Sequence, residues 1–469
     1  MTEAKLYGQN KGGISINGII KDYYAYAGEN ISAGDLVEFI NGVSKTENYG
    51  TSEYTTLSEL SSSYFHKAVQ LTDDTVFVAH LGYISKNYYC HGTVIKINKN
   101  VISEIGSYYK LISNYGVTGM RVLDVVALSE NSVLVAFRQT NSGYNVIGVV
   151  CTISGTTITV GTQTTMCDST SGNIQTNLEL VEPNKVVVFT GYNTNGYLYG
   201  TVSTISGTTI TKGSLYSINT SKYAGIFQDS TILSDGRIAI VHSYSGSYHL
   251  ACSIVSITDK VITVGFSVTI EATSNNGQNI AVSSLPGGDN RILVTYNNAS
   301  NIVCAKICKV NASNITLGTA VSIGSVSNTS DYQFYPSIPL ANGSAMVFYT
   351  STTSFQLYSA YCSISSMTIT LGKNQLLNEN AYTGLCVRPL MLANGSILLS
   401  HRNASSYLSG RLYCFDTTEQ FLVTTISIPA YETQVRKVTT PKFDGVAKTK
   451  GIGGDNTEHN DLVSIWTLE

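Results

Sequence analysis

Acidic side chains are the first place to look for catalysis, because hydrolysis of a glycosidic bond needs two carboxylates in acid, base or nucleophile roles. The acidic residues of the central part of the chain are few, and most lie in turn sequences: Asp73, Asp74, Asp235 and Asp289. Turn chemistry explains these positions, since Asp bonds to its own backbone. No Gly-x-Ser-x-Gly elbow, phosphate-binding loop or His-Glu-x-x-His motif is present. The sequence therefore predicts no catalytic residue, no cofactor and no enzyme activity.

Three histidines each end an apolar run at one phase of a repeat: His80, His242 and His401. Aromatic residues or a threonine end the corresponding runs elsewhere. A structural metal needs three or four ligands within about 2.0–2.3 Å of the ion, and equivalent positions in different repeat units usually lie much farther apart. We predict no metal site here and interpret the position as a half-buried aromatic one that accepts histidine.

The loops that follow these apolar runs are the better candidate for binding. They combine Tyr, which offers rigid contact area at low entropic cost, with Asn and Ser, which supply adaptable hydrogen bonds. This mixture suits a glycan or a protein surface, and ordinary turn chemistry is the alternative explanation. The candidate residues are Tyr83, Tyr144, Tyr192, Asn193, Tyr197, Tyr244, Tyr248 and Tyr407.

An internal repeat must position these loops. The segments CTISGTTITVG (151–161) and STISGTTITKG (203–213) are nearly identical, and related segments close at further glycines. Successive closing glycines are 52 to 55 residues apart: Gly106, Gly161, Gly213, Gly265, Gly318 and Gly372. A turn followed by an apolar run precedes each glycine, and a seventh such run occurs at 394–401. The chain therefore contains seven copies of one unit.

Each copy is typical of four short strands, and no stretch of ten residues shows helical periodicity. Four strands at a period near 50 residues are the signature of a β-propeller blade. The predicted fold is therefore all-β, with a seven-bladed β-propeller over residues 60–429. An open β-solenoid or a series of tandem sandwiches is the alternative.

The two ends of the chain do not repeat. Residues 1–59 and 430–469 contain short apolar strands and glycine turns, and each is too short to bury much surface alone. We predict that they pair into one small β-domain into which the propeller is inserted; two separate tails are the alternative. The residues expected to anchor this domain are Ile31, Leu36, Val37, Phe39, Val463 and Trp466.

The charge balance limits the partners. Charged residues are 13% of the 469, with 28 Lys and Arg against 31 Asp and Glu, for a net charge of −3. Binding to nucleic acid or to an anionic membrane surface needs clustered cations, so neither partner is predicted. No apolar run approaches the ~20 residues that cross a bilayer, and no secretion signal is visible.

The terminal segments resemble the small β-domain of virion proteins from phages that infect Firmicutes, including head-decoration proteins. The resemblance rests on residues 27–37 (AGENISAGDLV), residues 445–454 (GVAKTKGIGG) and a closing strand, and it covers about 100 of 469 residues. It implies a protein attached to a virus particle by its small domain, with the propeller displayed outward. Because the insertion is large, attachment to the head or to the tail stays open.

These observations favour a capsid decoration protein in the virion, synthesised in the host cytoplasm. Its expected partners are major capsid or tail proteins, with host cell-surface polysaccharide as a candidate ligand. The alternatives are a tail or baseplate adhesin for host-surface glycan, a propeller glycosidase, and a cellular lectin or scaffold. Propeller sialidases carry Ser-x-Asp-x-Gly-x-Thr-Trp boxes, whereas the single Trp of this chain is Trp466, outside the repeats. The oligomeric state is not decided by the sequence.

Overall fold

Two compact units make up the protein in a computed structural model. One combines Met1–Tyr49 with Ile426–Glu469, and the other is Gly50–Thr425. In the first unit the structure describes the strands at 4–6, 14–16, 20–27, 36–48, 427–437, 445–447 and 462–468. In the second it describes 54–58, 60, 65–84, 87–98, 101–111, 123–138, 145–168, 175–192, 196–221, 227–244, 249–272, 279–325, 335–351, 356–378, 385–403, 405, 407–416 and 420–424.

The first unit contains a closed five-stranded barrel to which both chain ends contribute. Its N-terminal strands are β1 (Ala4–Leu6), β2 (Ile14–Ile16), β3 (Ile20–Ala27) and β4 (Leu36–Asn48). Its C-terminal strands are β38 (Ser427–Lys437), β39 (Gly445–Ala447) and β40 (Leu462–Leu468). The barrel order is β3-β38-β4-β39-β40, and β1 and β2 form a separate hairpin. Only the β3–β38 pair is parallel among the barrel pairs described.

Five of the six residues predicted to anchor this unit lie in its described strands. Leu36, Val37 and Phe39 belong to β4, and Val463 and Trp466 belong to β40. In the backbone register Trp466 pairs with a residue of β3 and with one of β39. Ile31 lies outside the described residues. An anchoring role for these residues stays a prediction.

The second unit consists of seven small antiparallel sheets. Each is built from an inner strand, a second strand, a third strand and an outer strand that is continuous or in two parts. The strands in chain order are β5 (Thr55–Ser58), β6 (His66–Thr72), β7 (Thr75–Ile84), β8 (Asn87–Asn98), β9 (Val101–Ile105), β10 (Tyr109–Lys110), β11 (Leu123–Ser129), β12 (Ser132–Arg138), β13 (Val146–Ser154), β14 (Thr157–Val160), β15 (Thr164–Cys167), β16 (Thr176–Glu182), β17 (Lys185–Tyr192), β18 (Tyr197–Ser206), β19 (Thr209–Thr211), β20 (Leu215–Asn219), β21 (Gln228–Ile232), β22 (Ile238–Tyr244), β23 (His249–Thr258) and β24 (Val261–Glu271). They continue with β25 (Ala281–Ser284), β26 (Arg291–Asn297), β27 (Ile302–Val310), β28 (Ile315–Leu317), β29 (Val321–Ser325), β30 (Ser337–Pro339), β31 (Ala345–Thr350), β32 (Leu357–Ser365), β33 (Thr368–Asn378), β34 (Leu385–Met391), β35 (Ile397–Arg402), β36 (Leu408–Asp416) and β37 (Phe421–Val423).

The seven sheets close into a ring. The inner strands β6, β11, β16, β21, β25, β30 and β34 lie side by side in that order, and β34 returns against β6. The predicted fold class is therefore confirmed: an all-β chain with a seven-bladed propeller inserted into a small β-domain made from both ends. The closed ring excludes an open solenoid and tandem sandwiches. Among the described residues there is no helix with the length and apolarity needed to cross a membrane.

The outer strand of the seventh blade comes from two distant parts of the chain. Its first part is β37, which pairs with one end of β36, and its second part is β5, which pairs with the other end. In the second blade β14 and β15 pair with the two ends of the third strand β13 in the same way. The sequence analysis placed residues 55–58 outside the propeller, whereas the structure uses them to complete it. The reason is that a ring must be closed by a strand from its own start.

The repeating glycine marks the joint between the two parts of the outer strand. The Gly161 N–H donates to the Val150 carbonyl at 2.9 Å, and a Cβ added at Gly161 would lie 2.6 Å from the same oxygen. Glycine is therefore required by close backbone approach at this joint. The equivalent glycines Gly106, Gly213, Gly265, Gly318 and Gly372 also face a carbonyl oxygen of their third strand.

Apolar side chains from neighbouring blades pack between the sheets. One such cluster joins the seventh blade to the first and includes Leu57, Val78, Leu398, Leu408 and Leu412. Leu57 of β5 is 2% exposed. The short strand that closes the ring is therefore held by core packing as well as by backbone pairing.

Replacing Leu57 by alanine should destabilise the propeller by about 2–5 kcal/mol, the usual cost of a buried Leu→Ala change. Thr56→Ala is the matched control, since Thr56 is an exposed neighbour in the same strand and should change stability by less than about 0.5 kcal/mol. Denaturant unfolding of the full chain measures both free energies. Equal stability of the two variants would contradict the assignment of β5 to the propeller.

Candidate ligand-binding site

The hairpins between second and third strands emerge together at one end of the propeller, as the loop hypothesis requires. In the third blade Tyr192 pairs with Tyr197 across this hairpin. In the first blade Tyr83 pairs with Tyr88, and in the fourth Tyr244 pairs with His249. Aromatic residues at these cross-strand positions therefore mark several blades at the same end.

The described tyrosines are half-buried and partly fixed by neighbours. The rings of Tyr192 and Tyr199 lie 4.9 Å apart between centroids. The Tyr244 hydroxyl lies 3.0 Å from Thr269 Oγ1, and its ring meets the His249 imidazole edge-on at 5.3 Å. Such pairs hold aromatic surface rigid without removing it from the solvent, as a contact surface requires.

The structure describes only part of the predicted loop set. Tyr192, Tyr197, Tyr244 and Tyr407 are described, with half-buried side chains. The Tyr407 backbone N–H donates to Asn403 Oδ1 at 2.9 Å, a hydrogen bond of the loop itself. Of Tyr83 only the backbone pairing is described. Tyr144, Asn193 and Tyr248 lie outside the described residues.

One aromatic pair was missed by the sequence analysis. Tyr349 and Tyr358 stack in the sixth blade, with ring centroids 5.5 Å apart and an interplanar angle of 17°. They pair directly across β31 and β32. Tyr349 occupies the repeat phase of His80, so the signal was present, but its partner becomes evident only from the strand register.

A second polar region lies in the central channel, at the end nearest the hairpins. It is a cavity of about 310 Å³ lined by residues that lie in the seven inner strands or directly before them. Seven equivalent positions, the channel ring, contribute to it: Lys67, Asp124, Asn177, Asp229, Ala281, Pro336 and Arg388. Six of these residues pair with the same position of the second strand, the fifth residue after the turn between first and second strands. The seventh, Pro336, accepts a hydrogen bond at its carbonyl from the N–H of Phe348, which occupies that position in its blade.

Carboxylates of the channel ring bond to the backbone of the next blade. Asp124 Oδ2 accepts the Leu178 N–H at 2.8 Å, and Lys67 forms an ion pair with the same carboxylate. Asp229 Oδ2 accepts the Val282 N–H at 2.9 Å. Asp229 Oδ1 accepts the side-chain amide of Asn177 at 2.8 Å. These contacts satisfy inner-strand donors that have no further strand to pair with.

Burial changes the acidity of two carboxyl groups of the inner strands, Asp229 and Glu179. Burial raises the pKa of Asp229 even though it accepts the Val282 N–H and faces the charges of Lys67 and Arg388. Burial also raises the pKa of Glu179, which lies two residues after Asn177 in β16, to about 7, although Glu179 accepts a hydrogen bond from the Ser230 hydroxyl. The Glu179 carboxyl therefore exchanges its proton near neutral pH.

The sequence analysis missed this region, because it attributed the acidic residues of the repeats to turns. Asp73, Asp74, Asp235 and Asp289 do lie in turns, whereas Asp124, Glu179 and Asp229 lie on inner strands. A signal was available. Lys67, Asp124, Asn177, Asp229 and Arg388 each precede the equivalent residue of their second strand by twelve positions.

Histidines form a buried group beside this region, deeper than the half-buried position predicted for them. His80 pairs with His66 on one side and with His91 on the other, and the three are at most 2% exposed. His242 and His401 are equally buried. At His80 the stacked ring of His91, with centroids 5.7 Å apart, contributes to this burial. Among the described residues no group of three or more His, Cys, Asp or Glu side chains is placed to hold a metal ion.

Burial, reinforced by the neighbouring His91, lowers the pKa of His80 to about 3, and burial lowers the pKa of His66 to about 3 as well. Their ordinary value in an unfolded chain is about 6.5. Below pH 6.5 the unfolded chain therefore binds protons that the folded chain does not, and stability falls as the pH decreases towards 3.

His80→Phe should flatten this acid dependence, since Phe137 occupies the equivalent position of the second blade. Each such histidine lowers stability by up to about 1.4 kcal/mol per pH unit below 6.5. The free energy of unfolding of the variant, relative to that of the natural protein, should therefore increase as the pH falls from 6 to 4. His249→Phe, a change at a half-buried hairpin position, is the control. An identical pH profile for the His80 variant and the natural protein would show that His80 is not kept neutral.

Comparison with known proteins gives no family for this chain. No protein-family model and no curated protein matches the sequence. A protein from Lactobacillus plantarum of solved structure is 11% identical, with a TM-score of 0.49 over 78% of this chain and 99% of that one. AofleA from Arthrobotrys oligospora is 9% identical, with a TM-score of 0.44 over 69% and 92%. The NanB sialidase from Streptococcus pneumoniae, solved with an ethanesulfonate ligand, is 10% identical, with a TM-score of 0.45 over 79% and 71%. At such values these structures say nothing about what this chain binds.

Proposed function

We propose that the protein is a non-enzymatic surface protein of a phage particle, most directly a capsid decoration protein, which displays its propeller from the split terminal unit. One observation carries this proposal. The chain enters the propeller at β5 and leaves it at β37, and both strands lie on β36, while the residues before and after them build one barrel. The propeller is thus an insertion at a single loop, which suits an attachment unit carrying a displayed unit.

The internal bonding of the channel carboxylates supports the non-enzymatic part of this proposal. Asp124 accepts the N–H groups of Val125 and Leu178 and pairs with Lys67. Asp229 accepts bonds from Asn177 and Val282. A general base or nucleophile needs an oxygen directed at the substrate, whereas these oxygens are directed at the protein's own backbone and side chains.

A tail or baseplate adhesin for host-surface glycan is the second candidate, and the paired aromatic side chains favour it. Tyr192, Tyr197 and Tyr244 present half-buried rings at the hairpin end of the propeller. Aromatic faces beside hydroxyl and amide groups suit sugar rings, which offer both apolar faces and hydroxyls. The two candidates share the display arrangement and differ in the point of attachment.

Location in the particle tests the proposal. Particles are purified from the host that produces this protein, heads and tails are separated, and each fraction is analysed by mass spectrometry. A decoration protein should remain with the heads in many copies per particle. Recovery with the tails would favour the adhesin, and recovery only in the particle-free lysate would contradict both.

The double variant Tyr192→Ala, Tyr197→Ala tests the hairpin face. Loss of two aromatic contacts should weaken adsorption of the purified protein to host cells by about fivefold or more, the effect of removing more than 1 kcal/mol of contact energy. Tyr216→Ala, which alters a half-buried tyrosine on an outer strand of the same blade, is the control. Unchanged adsorption would show that both tyrosines have a purely structural role.

A further inference from the structure

Three histidines form a row across the first blade. His66 of β6 pairs with His80 of β7, and His80 pairs with His91 of β8. The rings of His80 and His91 stack, with centroids 5.7 Å apart and an interplanar angle of 27°. All three side chains are buried. The strand register therefore brings three titratable rings together in one enclosed layer, which we call the histidine row.

The histidine row faces the seventh blade. Alternate residues of a strand share a face, so His80 lies on the same face as Val78. Val78 belongs to one apolar cluster with Leu57 and Leu398 of the seventh blade. The row and this cluster together form the interface at which the seventh blade meets the first, the closing boundary.

The polar atoms of the histidine row are poorly satisfied. The buried atoms without a hydrogen bond among the described residues include Nδ1 and Nε2 of His66, Nδ1 and Nε2 of His80, Nε2 of His91 and Oγ1 of Thr93. Thr93 is two residues after His91 in the same strand and is 1% exposed. Buried polar atoms without partners cost free energy, and opening of the boundary to water recovers it.

The equivalent histidine of the fourth blade is bonded on both sides. His242 Nδ1 lies 2.8 Å from the Ser243 carbonyl oxygen, and its Nε2 lies 2.9 Å from Ser253 Oγ. Both groups are able to accept a hydrogen bond from a protonated ring. The nitrogens of His80 make no such bond. A proton is therefore accommodated less well in the closing boundary than at His242.

The charges around the histidine row also disfavour its protonation. Titratable groups lie near it from the seventh blade and from the outer part of the first: Arg388, His401, Lys110, Tyr89 and Tyr108. Burial is the main cause that lowers the pKa of His91 to about 4, and the Lys110 charge adds to it. At His66 burial and then the Arg388 charge lower the pKa. The Ser400 backbone favours protonated His66, but the effect of burial is larger.

We propose that the closing boundary is an acid-operated latch. It is closed while His66, His80 and His91 are neutral, and it opens on acidification while the individual blades stay folded. In the open state water solvates the rings, which then bind protons at their ordinary pKa of about 6.5. Each exposed histidine multiplies the opening equilibrium constant by about ten between pH 7.5 and pH 5.5, and three multiply it by about 1000.

The propeller fold does not itself require histidine in this row. The second blade has Leu123, Phe137 and Ile147 at the equivalent positions, paired in the same register. An apolar row of this kind gives a boundary between blades that does not respond to pH. The proposal concerns the propeller alone and does not depend on the virion assignment.

Thiol labelling inside the closing boundary tests the proposal. Thr93→Cys places a thiol on the face of the histidine row. Thr201→Cys is the matched control, because Thr201 is buried at the same register position of the third blade, where Thr190 stands in place of His80. Each full-length variant is labelled with 4,4′-dithiodipyridine at pH 7.5 and pH 5.5, and the labelled peptide is identified by mass spectrometry. The rate divided by that of the same thiol in the urea-unfolded chain gives the opening constant.

The two positions should respond differently to pH. At position 93 the opening constant should rise at least tenfold, and up to about 1000-fold, from pH 7.5 to pH 5.5. At position 201 it should change less than about threefold, since no histidine is released there. An equal rise at both positions would show that the histidines are exposed only when the whole propeller unfolds. No rise at position 93 would show that the boundary stays closed in acid. Either result overturns the proposal.

Exchange of the histidine row for its counterpart in the second blade identifies the sensor. In the Thr93→Cys background, His66→Leu, His80→Phe and His91→Ile together should remove the pH dependence of the opening constant, whereas His242→Phe should leave it unchanged. A pH dependence that persists in the triple variant contradicts the proposal. If the triple variant does not fold, His80→Phe alone decides. It should reduce the rise by about tenfold, and an undiminished rise would contradict the proposal.

Discussion

The inner edge of each propeller sheet is the constraint on which the rest of the structure depends. An inner strand pairs with its second strand on one side, and its other edge carries N–H groups with no strand to bind them. Side chains of the preceding blade supply the acceptors. Asp124 bonds the Leu178 N–H, Asp229 bonds the Val282 N–H, and Thr231 Oγ1 accepts the Ser284 N–H at 3.3 Å. At these two boundaries one blade therefore fixes the next, and the channel is polar there because the backbone requires it.

The polar channel and the closed ring have further consequences for function. Burial raises the pKa of Asp229 and of Glu179, and the nearby cations Lys67 and Arg388 act against that rise at Asp229. A cavity with organised charge at one end of the channel is the result. Closure also requires that the chain return to its starting blade, and β5 beside β37 meets that requirement. The same junction places the start and the end of the propeller segment at one blade, which makes an inserted propeller compatible with a terminal attachment unit.

Much of the fold could be predicted from the sequence, because the repeat reports local geometry. The glycine at positions such as Gly161 recurs because the outer strand approaches a backbone oxygen there, whatever the surrounding residues. The turn and the apolar run recur because every second strand is buried between sheets. These are properties of a single blade, and seven copies in one sequence make them evident without coordinates.

The features that depend on closure could not be predicted in the same way. The strand β5 (TTLS) corresponds to the second outer half-strand β15 (TTMC), but it stands before the first inner strand of the chain, and its partner β36 lies some 350 residues away. The channel ring consists of one residue per blade, and its members differ in charge, so no motif connects them. Nothing in the sequence distinguishes Asp229 from other strand residues, and only the closed ring places it in the same cavity as Arg388. Likewise, only the strand register joins Tyr349 to Tyr358.

Hydrogen exchange at the inner-strand amides tests the central claim most directly. The Leu178 and Val282 N–H groups lie on edges without a neighbouring strand, and only the bonds from Asp124 and Asp229 across the blade boundary protect them. The closed ring predicts that both amides exchange as slowly as an amide within a buried strand ladder, such as that of Val188. Their exchange should then require unfolding of the whole propeller. Exchange at the rate of an exposed strand edge, while Val188 remains protected, would show that the blades are not joined in this way.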